Sequence, residues 1–388
     1  MSVFVPAKVV LYANTDWYLY NFRRSLALAL QLRGYEVLLL SPDGPYGEKL
    51  RALGLRWEAL PMLRRSLNPF RELRLLRHLV RLLGRERPAL LHNFTIKCAV
   101  YGSLAARLAG VPGRINAVAG MGYVFTSSEV KARLLRPIVR ALLRWALGGQ
   151  HARLVLQNAD DVALFEHEGL ADRRTIRLIR GSGVACQQFA GVQRGACDGD
   201  PRILLAARLL WDKGVGEFME AARILRSEGR NVRFLLAGLP DEGNPAAISV
   251  ETIRRWIAEG LVEWLGHVDD MPALLATVDI FALPSYREGL PKSLVEAAAS
   301  GLPLVSTDVP GCREVITDGE DGLLVPVRDA PALAAAIARL LQDSGLAARL
   351  GAAARKKAVT EFDEASVIDH TIAVYQELLA SSTPGAVG

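Results

Sequence analysis

Apolar residues in this chain cluster in short, mostly apolar runs, separated by stretches whose apolar residues recur every three or four positions. The runs are KVVLYA at 8–13, EVLLLSP at 36–42, RWEALPM at 56–62, ALLHNF at 89–94, RINAVAG at 114–120 and RLVLQN at 153–158. Helical spacing occupies FRRSLALALQLR, closed by Gly34, and then the regions near 97–109, 129–147 and 160–169. Short apolar runs alternating with helices predict parallel strands buried on both faces of a sheet. The rhythm fails over ACQQFAGVQRGACDGDP (185–201), which reads as a linker. It restarts with strand-like segments at 202–208, 232–238, 262–266, 279–285 and 303–307, and a helix over 364–381 closes the chain.

The expected fold is therefore α/β, with two doubly wound, Rossmann-like domains facing each other across a cleft. Residues 1–190 form the first domain and 191–363 the second. Residues 364–388 are a helix and tail expected to pack back towards the first.

Composition adds exclusions. At 388 residues there is enough chain for two cores. No apolar run approaches the eighteen or so residues of a membrane span. The start, MSVFVPAKVVLYAN, reads as a first strand rather than a signal peptide. Cys98, Cys186, Cys197 and Cys312 form no C-x-x-C pair, so neither a disulfide framework nor a zinc site is expected, and the reducing cytoplasm is the expected compartment. Charge divides the chain more sharply than composition does. Residues 1–190 hold 28 Lys and Arg against 13 Asp and Glu, and the remainder holds 19 against 28. The first half is thus expected to face something anionic.

Two helical stretches concentrate that charge. Arg71, Arg74, Arg77, Arg81 and Arg85 recur along one face, as do Arg133, Arg136, Arg140 and Arg144 beside Leu142 and Trp145. Either is an ordinary solvated arginine face or a basic amphipathic helix lying on anionic lipid; two of them in one basic domain favour the membrane. Nucleic acid is not expected, for want of aromatic interleaving or a binding motif.

No dinucleotide glycine fingerprint, Walker loop or paired histidine cluster occurs. Asp198-Gly199-Asp200 lies in the linker, as a metal-binding triplet or a solvated turn. Arg208 ends the segment RILLAAR and Lys213 follows in LWDKG. At the carboxyl end of a strand the two can neutralise a diphosphate, or be surface cations around a turn. In YREGLPKSLVEAAASG (286–301), a helix is expected to begin near Leu290, with Pro291 in its first turn and its amides forming an anion site. Glu288 stands before that start. Glu296 stands two turns further in, among Leu, Val and Ala, where it either binds hydroxyls or is an ordinary helix glutamate.

The segments AARLLWDKG (206–214), LGHVDD (265–270) and DIFALPSYREGLPKSLVEAAASGLP (279–303), then VPGCREVI and DGLLVP, resemble the retaining GT-B glycosyltransferases of family four. In the first half, NFTIKCAVYG (93–102), AGMGYVF (119–125), LQNADD (156–161) and GSGV (181–184) resemble the bacterial branch acting on undecaprenyl-diphosphate-linked sugars. The resemblance implies that Arg208 and Lys213 hold the nucleotide diphosphate, that Glu296 binds ribose and that Glu288 lies near the donor sugar. It implies that Gly289, Leu290 and Pro291 present backbone amides, and it puts His267 and Val268 among the donor-binding residues. It also implies a UDP-sugar donor, a lipid-linked sugar acceptor, no required cofactor or metal, and work at the inner face of the plasma membrane. An epimerase or hydrolase of the same fold, or a non-catalytic nucleotide-sugar binder, would share those donor residues. The chain departs from relatives at Phe94 and at Ala119-Gly120-Met121-Gly122, where many carry histidine. The loop Asn14–Tyr20 also lacks a glycine pair found in some, and His92 reads as a structural strand-end residue.

Overall fold

The computed structural model describes residues 7–64, 66, 68–118, 130–190, 199–241 and 243–381, with backbone alone at 130–136, 138–139 and 381. Two compact units result, one of residues 1–182 with 367–388, the other of 183–366.

The first unit is built on β1 (Lys8–Tyr12), β2 (Glu36–Pro42), β3 (Arg56–Leu60), β4 (Leu90–Phe94), β5 (Gly113–Ala117), β6 (Ala152–Leu156) and β7 (Ile176–Leu178). They form a parallel sheet in the order β3-β2-β1-β4-β5-β6-β7. The second unit holds β8 (Arg202–Ala206), β9 (Arg233–Ala237), β10 (Glu263–Gly266), β11 (Ile280–Leu283), β12 (Leu304–Thr307) and β13 (Leu323–Val325). Their order is β10-β9-β8-β11-β12-β13, again parallel. Every residue of β4 and β11 is buried; β11 is accordingly apolar throughout, whereas β4 also buries His92 and Asn93. β7 and β13, with three residues each, are too short to announce themselves and were not expected.

The first unit ends at Ser182, not at 190. Val184 bridges to Asp363, and Cys186 and Phe189 enter the core beneath the helix Ser344–Glu361. Residues 183–190 thus belong to the second unit rather than to a linker, because three apolar side chains at irregular spacing find a groove made by distant sequence. Residues 191–198, with Cys197 and Asp198, lie outside the described residues. So do 119–129, including most of the AGMGYVF segment.

The last helix, Glu364–Ser381, carries Val367, Ile368, Ile372, Tyr375 and Leu378 into the core of the first unit. There Tyr375 is fully buried, its hydroxyl 2.7 Å from His92 Nδ1. Glu377 on the same helix receives Arg153 and Arg177.

The helix Pro69–Glu86 buries Leu75, Leu79, Leu82 and Leu83 and exposes Arg71, Arg74, Arg77 and Arg81. Arg85 is engaged elsewhere: it bonds Glu58 at 2.9 Å and Glu86 at 3.0 Å. Glu86 also receives Arg56 and Lys8, and these bonds, Arg56 first, hold its carboxyl down at about 2 against the effect of burial. On the helix Val130–Leu147, Leu142 and Trp145 are exposed, while Arg140 bonds the carbonyl and carboxylate of Glu168. The side chains of Arg133 and Arg136 lie outside the described residues. Among the described residues no helix is long and apolar enough to cross a membrane.

Candidate functional site

In the second sheet the strand order reverses between β8 and β11, neighbours in space although β9 and β10 separate them in sequence. At such a reversal the connections leave in opposite directions, opening a crevice beyond the strands' carboxyl ends where ligands bind. Arg208 and Lys213 follow β8; Glu288 follows β11.

β8 ends at Ala206, so Arg208 lies in the loop beyond it rather than at the strand end. Its half-exposed guanidinium donates to Asp241 Oδ2 at 2.8 Å. Trp211–Lys213 forms a single tight turn closed by Gly214 at φ 70°. A Cβ on Gly214 would stand 2.0 Å from the carbonyl oxygen of Pro284, so glycine is what lets the two loops meet. Once they meet, the Tyr286 amide donates to the Asp212 carbonyl at 2.9 Å. Lys213 Nζ donates to Glu288 Oε1 at 2.5 Å, and Ser285 Oγ donates to the same oxygen at 2.7 Å. Both charged side chains are largely buried, 16% and 11% exposed.

Neighbouring contacts fix this arrangement from behind. Tyr286 Oη donates to Glu217 Oε1 at 2.7 Å, and the Arg328 guanidinium lies 4.6 Å from the ring centroid. Burial, then the Glu217 bond, pushes the Tyr286 phenol up to about 12. The Gly311 amide donates to the Glu288 carbonyl at 3.3 Å. A Cβ on Gly311 would come within 2.5 Å of the Gly289 carbonyl oxygen, so this glycine too permits a close backbone approach. Beside it, Cys312 is fully buried, its thiol pushed up to about 12 chiefly by burial and then by the Glu288 charge.

The helix after β11 runs Lys292–Ala299, later than expected. Pro291, at ψ 107°, is its N-cap and not a first-turn residue, and it offers the first-turn amides no side-chain acceptor. Lacking an N–H itself, Pro291 cannot present the backbone amide expected of it. Glu296 lies in the second turn, 14% exposed, with Lys292 Nζ 3.5 Å away. Burial raises its pKa, against the pull of Lys292. Leu290 and Val268 pack on the same core cluster. His267 is exposed and pairs with Asp269 on its own loop at 3.2 Å.

The fold thus joins Lys213 to Glu288 directly, sets Gly289, Leu290 and Pro291 beside them, and carries Glu296 along the following helix. Arg208 occupies the adjoining loop with its own carboxylate, and His267 is turned to its own loop. Asp241, Ser285, Glu217 and Arg328 also join the site, all but Ser285 through contacts between distant segments. Only Ser285 carried a local signal, a small polar residue between a buried strand and Glu288. Among the described residues no group of three His, Cys, Asp or Glu could hold a metal ion.

Two family models match the chain: "Glycosyl transferase 4-like" over residues 8–158 and "Glycosyl transferases group 1" over 200–343. A Campylobacter jejuni protein, N,N'-diacetylbacillosaminyl-diphospho-undecaprenol alpha-1,3-N-acetylgalactosaminyltransferase, is 32% identical over 93% of this chain and 96% of its own. The chain is a family-four GT-B glycosyltransferase. The Escherichia coli UDP-Gal:alpha-D-GlcNAc-diphosphoundecaprenol alpha-1,3-galactosyltransferase is 25% identical over 89% of each chain. In fold, the glycosyltransferase superposes on a crystal structure of a glycosyltransferase from Rickettsia africae with a TM-score of 0.78. That pair shares 18% identity over 97% of this chain and 99% of the other. The group 1 match contains Arg208, Lys213, Glu288 and Glu296, so the loops at the strand-order reversal lie within the region that defines the family.

Proposed function

We propose that this glycosyltransferase moves a hexose or N-acetylhexosamine from a UDP-linked donor to a lipid-diphosphate-linked saccharide, in assembly of a cell-surface glycan or a glycoprotein glycan. The observation that carries the reading is 32% identity, over nearly the whole of both chains, to an enzyme named for a diphospho-undecaprenol substrate, together with the Lys213–Glu288 pair at the strand-order reversal. Arg208 and Lys213 bind the donor diphosphate, where negative charge grows as the sugar departs. Gly289 and Leu290 donate backbone N–H groups to phosphate or sugar, Glu288 positions the donor sugar, and Glu296 accepts from ribose hydroxyls. His267 and Val268 line the nucleotide side. The anomeric C–O bond to phosphate breaks, a bond to the acceptor oxygen forms on the same face, and the acceptor proton passes to the departing phosphate. Configuration is retained, and the two cations take the role a divalent ion would otherwise fill.

The decisive measurement is UDP release with and without a lipid-diphosphate-linked saccharide, over a panel of UDP-hexoses and UDP-N-acetylhexosamines, in chelator. Acceptor-dependent release with an α-linked product supports the reading; acceptor-independent release or a requirement for metal refutes it. The carboxylates separate by kinetics. Glu296→Ala will raise donor KM roughly ten- to a hundredfold with little change in kcat, since ribose contacts persist from ground to transition state. Glu288→Ala will mainly lower kcat. The reverse pattern would exchange their roles.

The enzyme works peripherally at the cytoplasmic membrane face, supported by the exposed arginine stripe on Pro69–Glu86. Vesicles containing anionic lipid will sediment the protein at low salt, each surface arginine contributing about 1 kcal/mol through a screened field. Changing Arg71, Arg74, Arg77 and Arg81 to Gln will abolish that binding while leaving activity on a short soluble acceptor. Unchanged sedimentation would return the stripe to a solvated helix face.

A further inference from the structure

The first sheet has its own reversal of strand order, between β1 and β4. The helix Asp16–Phe22 follows β1, and Arg23 caps its carboxyl end. Arg23 is 6% exposed, yet among the described residues it forms no ion pair. One terminal nitrogen donates to Tyr18 Oη at 3.1 Å, and Nε is buried without a partner. The guanidinium lies 4.3 Å from the ring centroid of Phe94, the last residue of β4, and 5.6 Å from that of Tyr18. Nearby, His92 is 2% exposed; Nδ1 meets the Tyr375 hydroxyl and Nε2 has no partner. Burial first, and then the Arg23 charge, pushes the His92 pKa well below its usual range, so the imidazole is neutral. Tyr18 and Phe94 continue outward through Phe22, at 5.1 Å from Tyr18, to Trp17, at 5.3 Å from Phe22 and 39% exposed.

A cation removed from water with no carboxylate is expensive, and stacking on aromatic rings offsets only part of that. Asp16, the carboxylate at the other end of the same helix, is taken by the amides of Trp17, Tyr46 and Gly47. Two unsatisfied buried polar groups beside one another, at the position where an open α/β sheet takes its ligand, call for an oxyanion. The aromatic rings leading out to Trp17 supply flat apolar faces of the kind the C–H face of a sugar stacks on.

We infer that Arg23, framed by Tyr18, Phe94 and His92 at the β1/β4 reversal, is a subsite for the diphosphate of the acceptor, with Trp17 stacking on the saccharide it carries. This rests on the acceptor class proposed above. Arg23 supplies the charge, and neutral His92 adds one further N–H at Nε2 in the tautomer whose Nδ1 accepts from the Tyr375 hydroxyl.

The test uses the intact protein with its donor site filled by saturating UDP. Inorganic diphosphate and a short-chain prenyl-diphosphate saccharide are then titrated, followed by thermal shift and calorimetry. Both are expected to bind the parent, the saccharide more tightly, and neither to bind Arg23→Met. In that variant acceptor KM should rise roughly ten- to a hundredfold, the loss of a hydrogen-bonded charge, with donor KM unchanged. The thermal midpoint of Arg23→Met should hold or rise, because an apolar side chain suits a site that only the ligand requires to be charged. Arg23→Lys, which keeps the charge without the fork, should fall between them; if Arg23→Met fails to fold, this variant and the parent titrations decide. A folded Arg23→Met with parental acceptor KM, or no diphosphate binding by the UDP-saturated parent, overturns the assignment. Absence of transfer by the parent would count against the acceptor reading instead, and the diphosphate titration would still decide the subsite.

Discussion

Lys213→Ala will lower turnover roughly ten- to a thousandfold, each factor of ten corresponding to about 1.4 kcal/mol of transition-state stabilisation. The lysine is placed before any substrate arrives. The turn Trp211–Lys213 fixes its backbone, and Glu288 Oε1 at 2.5 Å fixes its ammonium. In the proposed role, removing it withdraws a cation from the leaving group; in the structure it leaves the Glu288 carboxylate with Ser285 as a side-chain donor. The two losses act together, so Lys213→Ala and Glu288→Ala should be far from additive when combined. Steady-state kinetics on the two single variants and the double variant measure this. A folded Lys213→Ala protein with parental kcat would remove Lys213 from the diphosphate site.

Gly214→Ala is expected to damage stability and activity at once. The added Cβ would meet the Pro284 backbone carbonyl oxygen at 2.0 Å, while forcing alanine to φ 70°. Strain of that kind costs on the order of 2–4 kcal/mol, enough to be visible as a shifted denaturation midpoint. Relief must come from parting the loops, which separates Lys213 from Glu288 and Tyr286 from Asp212. A parental midpoint together with parental kcat in Gly214→Ala would show that the close approach is dispensable.

How far the sequence disclosed this can be traced residue by residue. A strand such as β11 is legible because burial on both faces leaves an unbroken apolar run. The three-residue β7 and β13 have no room for one. Lys213, Glu288 and Glu296 stood out because their motifs are contiguous. What each one touches was hidden, since Glu288 is joined to Lys213, and Arg208 to Asp241, across long separations in sequence. The helix starts two residues later than the spacing predicts, because Pro291 is as acceptable at the cap as inside the first turn. Arg23 gave no signal at all: an Arg-Arg pair reads as surface, and only the fold shows that one of the two is buried.

Tyr375 has a consequence for the order of events in the cell. The first unit's sheet is complete in sequence by Leu178, yet its core waits for Ile372, Tyr375 and Leu378. Before they emerge from the ribosome, His92 Nδ1 has no phenol and Arg153 and Arg177 have no Glu377. The second unit, contiguous from 183 to 366, draws on no segment outside that range. The domain made first is therefore finished last, and a nascent chain stalled ahead of Ile372 would expose an apolar face to chaperones although every strand of its sheet had already been made.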